Sequence, residues 1–203
     1  MRIIFCIPGR SFSNNFLISW TNLLKYCNEN GIQAELSNGY TSIVHLARYA
    51  CLGINPQSDC KECLNPFGQE IEYDYIMWID SDMVFKPEDL QKLIDADKQV
   101  ITGLAKIEAS KYYACWVGEE DIRIDDTFLK KNSGVIEVSF TGMAFMLIKA
   151  GVYEAIPFPY FTVPGNWKCI SETIGFCHNL KAHDIKIHAN LDVIVGHEKP
   201  IIL

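Results

Sequence analysis

The apolar positions of the chain switch between two spacings. RIIFCI (residues 2–7) is a short, nearly unbroken apolar run, which predicts a strand buried on both faces. Phe16, Leu17, Trp20, Leu23, Leu24 and Cys27 then recur every three or four residues, as a helix with one buried face requires, and Gly31 ends it. Residues 32–36 predict a second strand, and Ile43, Val44, Leu46, Ala47 and Ala50 a second helix. YDYIMWI (73–79) is a third strand. KPEDLQKLIDA (86–96) predicts a helix with Pro87 in its first turn, where a missing N–H is tolerated, and KQVITGL (98–104) is a fourth strand.

This βαβαβαβ order predicts an α/β domain with a mostly parallel central sheet and helices on both faces. Beyond residue 105 the pattern changes. YYACWVG (112–118), VIEVSF (135–140) and MAFMLIK (143–149) are short strand-like runs with little helix between them, predicting a smaller mixed or antiparallel extension. A helix over 171–183 and the strands IKIHA (185–189) and DVIVG (192–196) close the chain. No repeat or interdomain linker interrupts the pattern, so one domain over 1–203 is expected, with residues 53–70 as a long surface loop.

Composition narrows the partners. With 49% hydrophobic and 21% charged residues over 203 positions, the chain can bury a full core. A formal net charge of −7 opposes a general electrostatic grip on nucleic acid or anionic lipid, so no nucleic-acid partner is expected. No run approaches the ~20 apolar residues of a transmembrane helix, and MRIIFCIPGR reads as a core strand rather than an export signal; a soluble, cytoplasmic protein is expected. Cys6, Cys27, Cys115 and Cys177 fall inside apolar periodic segments, as small core residues do, and reduced thiols are expected. Cys60 and Cys63 form one C-x-x-C, which supplies two ligands where a closed zinc site needs four.

Candidate chemistry starts at YIMWIDSDMVF (75–85), where Asp80 and Asp82 stand at the end of an apolar strand. In a parallel α/β sheet, ligands sit beyond the carboxyl ends of the strands. Two carboxylates one residue apart can converge there on Mn²⁺ or Mg²⁺ that bridges to phosphates. The same letters also suit a turn, with Asp82 starting it and Asp80 capping a neighbouring backbone. They also fit the first motif of a haloacid-dehalogenase-type phosphatase with Asp80 as nucleophile. Such an enzyme needs a later acidic pair, and only Asp125-Asp126 in a polar stretch offers one. DVIVGHEK places His197 just after the last apolar strand, where an imidazole could complete a metal shell begun by a carboxylate.

IPG near the start, LAR at 46–48, YDYIMWIDSDMVFKPEDL, FTGMAFMLIKAGVYEAI and the terminal SETIGFCHNLKAHDIKIHANLDVIVGHEK together resemble a GT-A-fold, family 2-like glycosyltransferase of the compact viral and bacterial kind. The resemblance implies a GT-A, Rossmann-like domain with a nucleotide-sugar-binding half (1–105) and an acceptor-side half (106–203). It implies transfer of a sugar from a UDP- or GDP-sugar donor to a carbohydrate or other hydroxyl acceptor, with Mn²⁺ or Mg²⁺. Asp82 would hold the metal, with His197 as a further ligand and Asp80 helping to hold metal and donor. Pro8, Gly9 and Arg10 would shape the nucleotide pocket, and Arg48 would face the donor, although Tyr49 follows it where the family pattern has Asn. Gly142 would let the backbone approach the donor sugar. Glu172 would occupy the general-base region, but Thr173 follows it where inverting members carry Asp. Proton transfer by Glu172, a retaining mechanism or a binding protein without turnover are the alternatives. PFPYFTVPGNWK, with Phe158, Tyr160, Phe161 and Trp167, has the aromatic content of a sugar-acceptor platform, or of a packed Pro-rich loop.

Overall fold

The computed structural model describes residues 1–107, 110–161 and 171–198. The predicted strands and helices of the first half form as β1 (Arg2–Pro8), α1 (Asn14–Glu29), β2 (Gln33–Gly39), α2 (Val44–Cys51), β3 (Tyr75–Ile79), α3 (Pro87–Asp95) and β5 (Val100–Ala105). A two-residue strand, β4 (Met83–Val84), follows the Asp80–Asp82 turn. The second half supplies β6 (Tyr112–Val117), β7 (Ile122–Asp125), the single-turn α4 (Asp126–Leu129), β8 (Val135–Val138), β9 (Phe140–Thr141), β10 (Phe145–Lys149), α5 (Glu172–Ala182) and β11 (Ile187–His197).

The central sheet has the order β2-β1-β3-β10-β5-β11-β4, with β8 also paired to β11. β1 runs parallel to β2 and β3, and β11 parallel to β5, while β10 lies antiparallel between β3 and β5. Five of the eight strands therefore share one direction. Alternation along the strands assigns the two cores. Ile3, Phe5 and Ile7 pack with Phe16, Leu23 and Leu90 of α1 and α3; Ile4, Cys6 and Trp78 face the opposite side, with Tyr49 of α2 and Phe176 of α5. A separate three-stranded antiparallel sheet has the order β7-β6-β9.

Three expectations change. IKIHA and DVIVG are one strand, because β11 continues through a register shift between Ala189 and Ile194 and only the bulge breaks the apolar pattern. The polar stretch EEDIRIDDTF contains β7 and α4, and Asp125 caps that helix by accepting from Thr127 N (3.0 Å) and Phe128 N (2.9 Å). Residues 53–70 include two short 3₁₀ turns, Glu62–Leu64 and Pro66–Gln69. Of the described cysteines, Cys6, Cys27, Cys51 and Cys115 are buried thiols outside any disulfide, Cys177 is buried, and Cys60 and Cys63 are exposed. No helix among the described residues is long and apolar enough to cross a membrane.

Candidate functional site

The carboxyl ends of β1, β3 and β11 deliver Pro8-Gly9, Asp80-Ser81-Asp82 and His197 to one rim of the sheet. Asp80 N–H donates to Ala144 O (2.9 Å) and Met83 N–H to Asp80 O (3.1 Å), so the chain reverses tightly between the two aspartates. β4 then pairs antiparallel with the end of β11, Met83 opposite His197. Gly9 is needed for this approach: a Cβ there would fall 2.5 Å from Ser81 Cβ and 2.6 Å from its Oγ.

Arg48, projecting from α2, is 3% exposed and lies between two carboxylates of different elements. Its Nη2 is 3.3 Å from Asp80 Oδ1 and its Nε 3.3 Å from Glu172 Oε1, while the guanidinium sits over the Trp78 ring at 5.3 Å. The Asp80 contact is at ion-pair distance without hydrogen-bond alignment, and Arg48 Nη1 is buried with no hydrogen-bond partner among the described residues. Burial works against the charge on Arg48, but Asp80 and Glu172 outweigh it and its pKa moves up. Asp80 is pushed above the ordinary carboxylate value, chiefly by burial, with Arg48 opposing and the negative Asp82 and Glu172 adding to the rise. Its Oδ1 is buried although the side chain as a whole keeps 31% of its surface exposed.

Asp82 turns the other way, toward His197. The His197 Nδ1 lies 2.8 Å from Lys106 O and its Nε2 3.1 Å from Asp82 Oδ2. A carbonyl only accepts, so Nδ1 carries hydrogen, and in the neutral ring Nε2 presents a lone pair to a carboxylate oxygen. That contact is satisfied by a proton on Nε2 or by a cation held by both atoms, and the Nδ1–carbonyl bond is the arrangement that aims a metal-ligating imidazole. Among the described residues no group of three His, Cys, Asp or Glu side chains is gathered to hold a metal ion. The pair fits a cation as two ligands.

A cleft of about 250 Å³ is lined by Pro8, Gly9, Tyr40, Arg48 and the Asp80–Asp82 turn. Larger open depressions exist elsewhere, but this one gathers both the buried guanidinium and the aspartates. Arg10 lies outside the lining and stacks on Tyr40 at 5.0 Å. Gly142 lies outside it too; its N–H donates to Ala114 O (2.7 Å), and a Cβ there would meet Ala114 Cβ at 3.2 Å, so its close approach is to β6. Glu172 opens α5 behind Ser171, whose hydroxyl accepts from Thr173 N (3.3 Å) and lies 2.7 Å from Thr173 Oγ1. Tyr160 and Phe161 are 1% and 3% exposed and pack on Tyr49, Tyr153, Trp78 and Phe176, so they are core residues rather than an acceptor platform. Trp167 is outside the described residues.

Glu198 is a residue that sequence reasoning passed over. Its N–H donates to Asp82 O (2.8 Å), and its carboxylate accepts from Ser13 Oγ and from Asn15 Nδ2 (3.1 Å). It thereby ties the end of β11 to the aspartate turn and to the start of α1. The letters HE at a strand end were its only visible signal.

The fold is that of the GT-A-like α/β proteins, with a large, mainly parallel sheet and a small antiparallel one. A197 from STIV is similar over 100% of this chain and 97% of its own, at 17% identity and a TM-score of 0.58. The catalytic domain of Drosophila beta1,4-galactosyltransferase 7, solved in complex with xylobiose, is similar over 98% of this chain and 71% of its own, at 10% identity and a TM-score of 0.50. At these identities the likeness is one of fold. No family model and no curated protein matches the sequence.

Proposed function

We propose that the protein is a metal-dependent glycosyltransferase that moves a sugar from a nucleoside diphosphate sugar to a hydroxyl acceptor. The observation that carries this reading is the Asp82 Oδ2–His197 Nε2 contact of 3.1 Å at the strand ends, beside the cleft lined by Arg48. The likeness in fold to a galactosyltransferase domain supports it.

In this reading Asp82 and His197 would hold Mn²⁺ or Mg²⁺, hard ions suited to a carboxylate and to a diphosphate donor. The bound ion would supply Lewis-acid stabilisation of the diphosphate leaving group. Arg48 Nη1, buried without an acceptor among the described residues, would donate to an oxygen of the sugar nucleotide, and a preorganised N–H of this kind favours charge that develops as the anomeric bond breaks. Asp80 holds Arg48 in place. Gly9 and Pro8 form the cleft wall against the nucleotide, with Tyr40 and Arg10 at its rim. Glu172 would receive the acceptor's proton in this reading; its Oε1 lies on Arg48 and its Oε2 within 3.4 Å of Ser171 Oγ.

A binding protein without turnover is the second reading, favoured by Thr173, whose hydroxyl is engaged by Ser171 where inverting relatives carry a second acid. The phosphatase reading lacks support. Asp125 caps α4, Asp126 binds Lys106 and Tyr113, and neither lines the cleft.

Calorimetric titration with UDP, GDP, CDP and dTDP, each with Mn²⁺ and with chelator, tests the proposal. One nucleotide should bind only with metal, and Asp82→Ala and His197→Ala should each abolish that binding. Metal-independent binding, or no binding of any nucleotide, would refute it.

A further inference from the structure

The burial of Tyr160 and Phe161 leaves the acceptor without its expected platform, and a different surface has the required chemistry. β6 leaves the candidate site directly: Lys106, whose carbonyl fixes His197, is bridged to Tyr113, and Ile107 N–H donates to Tyr112 O (2.9 Å). Tyr113 and Cys115 point into the core, so Tyr112 and Trp116 share the outer face of the strand. Both rings lie against one guanidinium, that of Arg123, so they stand within about 10 Å of each other and form one continuous patch.

Across the ladder, Arg123 of β7 stands opposite Trp116, and Asp125 opposite Tyr112. The Arg123 guanidinium lies 4.6 Å from the Trp116 ring and 5.6 Å from the Tyr112 ring. Among the described residues no carboxylate lies within ion-pair distance of Arg123, so its fork of N–H donors is positioned on the rings and free to meet a ligand. These side chains line an open depression of about 750 Å³ whose polar fringe includes Asp121, Lys131 and Asn132. Lys111 also lies over the Tyr112 ring, at 5.0 Å, so the patch is aromatic surface interleaved with cationic donors and fringed by acceptors, a mix that suits a carbohydrate, whose rings offer C–H faces and whose hydroxyls both donate and accept. A nucleic-acid strand fits less well, because Asp121 and Asp125 flank the stripe and the chain carries a net charge of −7.

We propose that the outer face of the β6–β7 ribbon binds an oligosaccharide, holding the acceptor chain along Tyr112, Trp116 and Arg123 so that its end reaches the Asp82–His197 rim. The acceptor role rests on the glycosyltransferase reading; the carbohydrate site itself does not. Accordingly the acceptor is a glycan of several units rather than a monosaccharide or a small alcohol.

The test uses the full chain on a broad glycan array, followed by calorimetry with the retained glycan at one to five units. The metal-dependent nucleotide titration runs in parallel as the check on folding and on the donor site. Affinity should rise with glycan length and fall about tenfold or more in Trp116→Ala and in the exposed Arg123→Gln. If that pattern holds while no nucleotide binds, the donor reading fails and the glycan site stands. If nucleotide binds but no glycan is retained, or if retention is indifferent to both substitutions, the glycan site is wrong and the donor reading survives. Retention of a single-stranded RNA probe through Trp116 and Arg123 in place of any glycan would equally overturn it.

Discussion

Replacing Arg48 by Met keeps an unbranched side chain over Trp78 and removes the charge between Asp80 and Glu172. Severing a fully buried ion pair costs about 3–5 kcal/mol, because the abandoned partner stays desolvated. Here the side chains of Asp80 and Glu172 keep 31% and 17% of their surface exposed, so water recovers part of that cost. Allowing for the lost cation–π contact, the expected loss at neutral pH is about 2–4 kcal/mol, a large share of the ~5–15 kcal/mol of a typical domain. The loss has a pH signature. Asp80 already holds its proton to higher pH in the folded chain than in the unfolded one, and without Arg48 that difference widens. Between the two pKa values the folded state binds more protons, so the variant loses stability as pH rises above 3.8, and its deficit against the parent shrinks in acid. Urea unfolding followed by circular dichroism at pH 4 and pH 7 measures both. A deficit under about 1 kcal/mol at pH 7, or one equal at the two pH values, would refute the assignment of Arg48 as counter-charge to Asp80.

Other expectations concern positions around this network. Gly9→Ala should cost about 1–3 kcal/mol by pressing a methyl into Ser81, and Gly9→Ala/Ser81→Gly should recover most of it in the same unfolding assay. His188 has its pKa lowered from 6.5, chiefly by burial and then by Lys98, so the unfolded chain binds more protons just below that value. Stability should therefore rise with pH through that window, and a pH series of melting temperatures should lose this rise in His188→Gln. Glu198→Ala removes the bonds to Ser13 and Asn15 and should lower stability by about 1 kcal/mol; an unchanged midpoint would mean these contacts are not made in solution.

Much of the first half could be read from the chain because its signals are local. Apolar spacing marked α1, Gly31 marked its end, and the apolar lead into Asp80 marked a strand end. Long-range pairing left no such mark. MAFMLIK reads as a strand wherever it goes, and nothing in those letters says that it enters antiparallel between β3 and β5. Tyr160 and Phe161 carry the composition of a sugar platform, yet packing against Trp78 and Phe176 consumes them. Tyr112 and Trp116, passed over as ordinary strand residues, face outward only because β6 joins the small sheet. Arg48, Asp80 and Glu172 each stood out individually. Their meeting through one guanidinium depends on α2, β3 and α5 converging, which no spacing in the sequence encodes.

The lodging of β10 has a consequence for the order in which the molecule is made. Asp80 follows β3, which belongs to the block β2-β1-β3, whereas His197 ends β11, which belongs with β5; in the ladder of the described residues β10 joins the two blocks. A nascent chain that has emerged only through residue 140 has both aspartates but neither the splice nor the histidine. Contacts so distant in sequence are late and slow to form. The candidate rim therefore needs two separate additions, β10 to join the blocks and β11 to bring His197, and a chain stalled or clipped before β11 carries the aspartates without the histidine.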